Sequence, residues 1–250
     1  MADLAEIVAY LDEQLRVSEI KDYPGAVNGL QLANNGEVTR ILSAVDASLA
    51  VVEEAADSGG LLLVHHGMFW QGAQPLTGAF YKKIKAAMEG NLAIYSSHLP
   101  LDVHPVFGNN VLLAKAIGLE GIEPILAKEG FPMGVTGIWG KGRDKLAAAV
   151  ADAVGRGVTV CPGGAEIIGN VAVMTGGAGS EVGRIAALGL DAFVTGEGPH
   201  WSFVEAEERE LNVIYAGHYA TETFGVRAVS AHLGAHFGLK TSRIDRPGGL

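Results

Sequence analysis

The sequence has a single cysteine, Cys161, so it has no disulfide framework, and such usage fits a reducing compartment. Cys161 stands in Val160-Cys161-Pro162-Gly163-Gly164 with no histidine nearby, which argues against a nucleophilic thiol. Basic residues are also few. Lys and Arg number 18 against 28 Asp and Glu, a formal net charge of −10 at pH 7. With no basic tract, the chain is a poor candidate for binding nucleic acid, because such binders hold phosphates with clustered cations. Long apolar runs are missing too. The longest stretch free of Asp, Glu, Lys and Arg is 58–81, and it contains His65, His66, Gln71, Gln74, Pro75 and five glycines, which a bilayer would not accept. The opening MADLAEIVAYLDEQL carries acids where a secretory signal carries bases, so it reads as an amphipathic helix. Gly-x-Ser-x-Gly, a Walker loop and His-Glu-x-x-His are all lacking. The expectation is a soluble, cytoplasmic protein without a membrane or nucleic-acid partner.

What is present is a chain of 250 residues, 48% hydrophobic, long enough for one large domain or two modest ones. Glycine is abundant at 35 residues, about twice its usual share. Apolar runs of four or five residues alternate with helical patterns, which argues for an α/β protein with mainly parallel pairing. In the first half the pattern predicts helices at 3–15, 48–57, 80–88 and 111–117, the last with Asn110 as its N-cap, and strands at 41–45, 61–64 and 92–95. The second half predicts helices at 144–154, 181–187, 203–210 and 226–237, and strands at 171–174, 192–194 and 213–215. The halves echo each other. Asn91-Leu92-Ala93-Ile94-Tyr95 leads to His98, and Asn212-Val213-Ile214-Tyr215 leads to His218. Four residues further on stand Asp102 and Glu222 respectively. This predicts two similar α/β lobes, 1–125 and 126–250, linked near 123–130 and free to exchange terminal elements. The alternative is a single doubly wound sheet.

In open α/β sheets ligands bind beyond the carboxyl ends of strands. The unusual polar residues sit at such ends here: His65 and His66, His98 and Asp102, Glu197 and His200, His218 and Glu222. Imidazole with carboxylate and no thiolate suits Zn, Fe, Mn, Ni or Co better than Ca or Mg. Adjacent histidines on a regular strand point to opposite faces. At a strand end, with Gly67 easing the turn, the pair can instead diverge toward two neighbouring ions, with Asp102 or Glu222 as a bridging carboxylate. Each motif alone has an ordinary structural explanation, and it is their conjunction that points to metal. The stretch from Thr175 to Gly183, rich in glycine between a strand and a helix, has two readings: backbone amides for a phosphate, or tight turning and close packing. Trp70 with Phe69 offers a stacking wall for a substrate ring, or a packed core aromatic. His104, His232 and His236 read as structural or surface residues, and Lys82, Lys83 and Lys85 as a solvated helix face.

Taken together, Val64-His65-His66-Gly67 with Trp70, Ser97-His98-Leu99-Pro100-Leu101-Asp102 with Gly108-Asn109-Asn110, Thr195-Gly196-Glu197 with His200, and Gly217-His218-Tyr219-Ala220-Thr221-Glu222 are similar to the GTP cyclohydrolase I type 2 homolog family, also called NGG-one-interacting-factor-three-like. The resemblance runs nearly the whole chain, in its compact form without an inserted domain. It implies a metal site in the cleft between two lobes, holding two divalent transition-metal ions per chain. His65, His66, Asp102, His218 and Glu222 would be ligands and Glu222 the bridge. His98 would be a ligand, a partner of the ligands or a proton shuttle, and Glu197 and His200 would line the pocket as catalytic groups or neighbours of the ligands. The implied activity is hydrolysis of a nucleotide or related phosphorylated heterocycle, in a ring-shaped homohexamer. The alternative is a non-catalytic metal-binding regulatory or chaperone-like protein.

Overall fold

The computed structural model describes residues 1–249. The chain forms two compact units. One comprises Met1–Leu101 with Gly225–Arg246, the other Asp102–Phe224 with 247–249.

The first unit is built on a five-stranded sheet. Its parallel core is Arg40–Asp46, Gly60–His66 and Leu92–Ser96, with Lys240–Arg243 parallel at one edge and Gly29–Leu32 antiparallel at the other. These strands are apolar on both faces because helices cover parallel sheets from both sides. Leu42, Leu62, Val64 and Ile94 pack with Val51, Val52 and Ala55 of helix Leu49–Ala56 and with Ala87 of helix Gly78–Glu89. The alternate residues Ile41, Leu61, Leu63 and Tyr95 are buried as well. The helices begin where short polar side chains can satisfy free amides. The Asp3 carboxylate accepts from Glu6 N at 3.0 Å, and the Ser48 hydroxyl from Val51 N at 3.3 Å.

The second unit carries a six-stranded sheet. Ile167–Val173, Ala192–Thr195 and Asn212–Tyr215 run parallel at its centre. Period-two alternation splits its core. Val171 and Val173 face Leu113, Leu146 and Val150, whereas Ala172, Phe193 and Val213 face Ile185 and Ala206. Both units therefore hold a parallel trio whose second and third strands lead into the polar motifs.

The second sheet adds antiparallel pairings around its parallel trio: the hairpin Glu120–Lys128 and Phe131–Gly142 extends one side and Thr159–Pro162 closes the other. Two expectations need correction. The proposed link at 123–130 lies within that hairpin. Its alternating, part-exposed residues lack the apolar run by which the central strands were found. Asn110 is not an N-cap. Helix Asn109–Ile117 is capped by Gly108, and the Asn110 amide ties other segments together, accepting from Thr175 N at 2.8 Å and donating to Met133 O at 3.1 Å.

Candidate functional site

In the first unit His65 and His66 end the central strand, and their rings lie 4.8 Å apart, centre to centre. Gly67 makes the turn that follows. A Cβ there would collide with the amide of Gln31, which accepts from Met68 N and holds the loop. His65 is buried, and its Nδ1–H donates to the Ser97 carbonyl at 2.9 Å. His66 Nδ1–H donates to Asp46 Oδ1 at 2.8 Å, its register partner on the neighbouring strand. Carbonyl and ionised carboxylate oxygens only accept, so each contact fixes the proton on Nδ1 and leaves the Nε2 lone pair for another use.

His98, two residues past the strand Leu92–Ser96, follows the same pattern. Its Nδ1–H donates to Asp22 at 2.9 Å. One ring nitrogen from each of His65, His66 and His98 lies within 4.8 Å of the others, a grouping that could hold a metal ion. Burial alone would raise the Asp22 carboxyl. Its bonds to His98, Asn28 and Leu99 instead hold it below the usual carboxylate range.

In the second unit His218 opens a single helical turn, His218–Thr221, and Glu222 caps it, nearly fully buried. His218 Nδ1–H donates to Glu197 Oε1 at 2.9 Å, while its Nε2 lies 3.1 Å from Glu222 Oε2. The bond to Glu222, reinforced by Glu197 against the opposing effect of burial, pushes the His218 imidazole up to about 9. The glycine-rich loop makes this packing possible. Gly176 has φ +66°, and a Cβ on it would collide with Glu222 Oε1 and stand 3.3 Å from His218 Nε2. Three amides of that loop serve its packing: those of Thr175, Gly176 and Gly179 donate to Asn110, Thr221 and Glu197. Asp102 ends the turn Leu99–Asp102, which stops before Pro105, and its carboxylate accepts from Asn109 Nδ2 at 2.8 Å.

Residues 2–246 match the family model Duf34/NIF3 (NGG1p interacting factor 3). The chain belongs to the Duf34/NIF3 family. The "GTP cyclohydrolase 1 type 2 homolog" of Deinococcus radiodurans is 38% identical over 248 residues, covering 98% of this chain and 94% of that protein. The Pyrococcus abyssi protein of the same description is 39% identical over 251 residues and 98% of both chains. Among solved structures, the protein ybgI, described as of unknown function, superposes with a TM-score of 0.92 at 33% identity over 100% of both chains. Reduced HcgD from Methanocaldococcus jannaschii gives 0.86 at 27% identity over 98% of each.

Within this Duf34/NIF3 chain the remaining sequence-derived candidates divide. Trp70 sets its ring edge-to-face with His98 at 4.9 Å and His66 at 6.0 Å and stays 38% exposed, so it adjoins the histidines rather than the core. His200 is exposed on helix His200–Glu208, where it lines a shallow surface hollow with Trp201, Val204 and Glu208. His104 accepts from Val106 N and Phe107 N, and His232 Nε2 meets the Tyr10 hydroxyl at 2.6 Å, both structural contacts. Lys83 is half-buried, which lowers its ammonium pKa, and it feels Asp46; it is not a solvated face residue. Burial likewise raises the Cys161 thiol. Asp22, Asn28 and Asp46 are new. Asp46 directly follows an apolar run and obeys the strand-end rule used for the histidines. Asp22 and Asn28 lie in a loop far from any motif. Among the described residues no helix is long and apolar enough to cross a membrane.

Proposed function

We propose that the chain is a metal-dependent hydrolase with a dinuclear centre, acting on a nucleotide or related phosphorylated heterocycle in the manner its relatives' description as GTP cyclohydrolase homologs suggests. The observation carrying this reading is that His65, His66 and His218 each have Nδ1 committed to an oxygen acceptor, which is how metal-ligating imidazoles are oriented and made more basic. In this reading His65, His66, Asp102, His218 and Glu222 would hold two divalent ions. Oxygen and imidazole donors without thiolate fit Zn, Fe, Mn, Ni or Co. The chemistry such ions supply is an activated water and stabilisation of developing negative charge. The protein's own groups do the rest. Asp46, Glu197 and the Ser97 carbonyl hold the rings, Trp70 offers a face to a planar substrate, and His98 faces the same space. The reading also includes a cytoplasmic homo-oligomer, a hexamer by resemblance, with a small-molecule substrate.

The test is elemental analysis and anomalous scattering on protein purified without an affinity tag. About two ions per chain are expected in the wild type, falling below one in Glu222→Ala and unchanged in a His232→Ala, His236→Ala double variant. Fewer than one ion in the wild type, or loss only in the double variant, defeats the assignment. A metal-loaded wild type inactive toward GTP and related phosphorylated heterocycles favours the non-catalytic alternative.

A further inference from the structure

Asp22 belongs to no motif in the sequence, yet its side chain is only 5% exposed and gathers more donors than its neighbours do. Oδ1 accepts from Tyr23 N at 2.6 Å and from His98 Nδ1 at 2.9 Å. Oδ2 accepts from Leu99 N at 2.8 Å and Asn28 Nδ2 at 2.9 Å. The Asn28 amide cannot turn round, because its Oδ1 accepts from His98 N at 2.7 Å. One carboxylate and one amide thus grip the His98 ring and the backbone on both sides of it. His98 is itself largely buried, and its ring packs 5.0 Å from His65, 5.6 Å from His66 and 4.9 Å from Trp70.

We propose that Asp22 is a positioning residue. Through His98 it presents a bare Nε2 as a hydrogen-bond acceptor for an N–H or O–H group of the ligand bound beside His65 and His66. This rests on the hydrolase reading for the existence of that ligand. The tautomer itself does not depend on it. A carboxylate on the far nitrogen fixes an imidazole's tautomer, and an amide in its place reverses it. In Asp22→Asn the new NH2 would face two fixed donors, Leu99 N and Asn28 Nδ2, in one orientation and one, Tyr23 N, in the other. It turns toward His98 Nδ1 at the cost of the Tyr23 bond, Nδ1 must then accept, and the ring proton moves to Nε2. The acceptor becomes a donor with little change in shape.

The test uses ¹⁵N-labelled full-length protein stripped of metal, with histidine tautomers read from long-range ¹H–¹⁵N spectra at about pH 8, where free imidazole is neutral. Wild-type His98 is expected as the Nδ1–H tautomer, inverted in Asp22→Asn and restored in Asp22→Glu. Zinc content after reconstitution is expected to be the same in wild type, Asp22→Asn and His98→Ala. An Nε2–H tautomer in the wild type overturns the proposal whether or not any variant folds, and so does an unchanged tautomer in folded Asp22→Asn. Loss of zinc in His98→Ala would make His98 a ligand and equally overturn it. Wild-type protein that binds no zinc but shows the expected tautomers defeats the hydrolase reading and leaves the Asp22 assignment standing.

Discussion

Gly176→Ala is expected to bring metal content below one ion per chain without altering a single candidate ligand. Two effects act together. The residue sits at φ +66°, where an L side chain costs about 1–2 kcal/mol. The new methyl would also occupy the volume of the Glu222 carboxylate. Glu222 cannot simply withdraw, because it is buried and bonded to His218. Forcing extra volume into a packed site costs about 1–3 kcal/mol. The combined loss is therefore about 2–5 kcal/mol, seen as a shifted denaturation midpoint. Metal content should fall to the Glu222→Ala level. Gly155→Ala is the control: it has nearly the same φ, +68°, and nothing within 4 Å of the added methyl. It should lose only the backbone contribution and keep its metal. If Gly176→Ala binds metal like wild type, the loop is not what packs Glu222 in place.

Metal-free protein, prepared with chelator, is expected to lose stability as pH rises from about 6.5 toward 9. His218 titrates near 6.5 when unfolded and is raised to about 9 in the fold. Between those values the native state binds the proton more tightly than the unfolded chain does. The stabilisation is complete below about 6.5, declines at no more than about 1.4 kcal/mol per pH unit, and is gone above 9. Denaturant midpoints measured at intervals from pH 6 to 9.5 for wild type and His218→Gln provide the check. The difference between the two curves should narrow steadily across this window. A constant difference would mean that His218 is not held as an imidazolium by Glu222 and Glu197. A metal ligand must be neutral, so ion and proton compete for the same nitrogen.

The sequence made the parallel trios readable because central strands are unbroken apolar runs, and the helices through their apolar periodicity, two of them from the residues that cap them, Asp3 and Ser48. The strand-end histidines and carboxylates were likewise visible as polar residues where the chain leaves the sheet. The edges were not. Gly29–Leu32, Thr159–Pro162 and Lys240–Arg243 are short, and their extended shape comes from pairing with a neighbour. The partners of the rings were the other loss. Asp22 reaches His98 across 76 positions of sequence, and nothing in its surroundings marks it. Asp46 carried a usable signal, since it follows residues 41–45 just as His65 and His66 follow 61–64. His200 was placed by the same rule and yet lies on an exposed helix, because proximity to a strand end does not say which way the next turn faces.

The last strand of the first unit, Lys240–Arg243, pairs with Arg40–Ser43. The first sheet therefore cannot be completed until residues 240–243 have left the ribosome. The second unit, continuous from Asp102 to Phe224 apart from the final residues, meets no such delay. Domains generally fold as units while synthesis proceeds at about 5–20 residues per second. The part translated first is therefore the part finished last, and during that interval the edge strand Arg40–Asp46 waits without its neighbour. A nascent chain stalled near residue 225 would expose that edge, which is where a chaperone, or a second unfinished copy, would find the polypeptide most receptive.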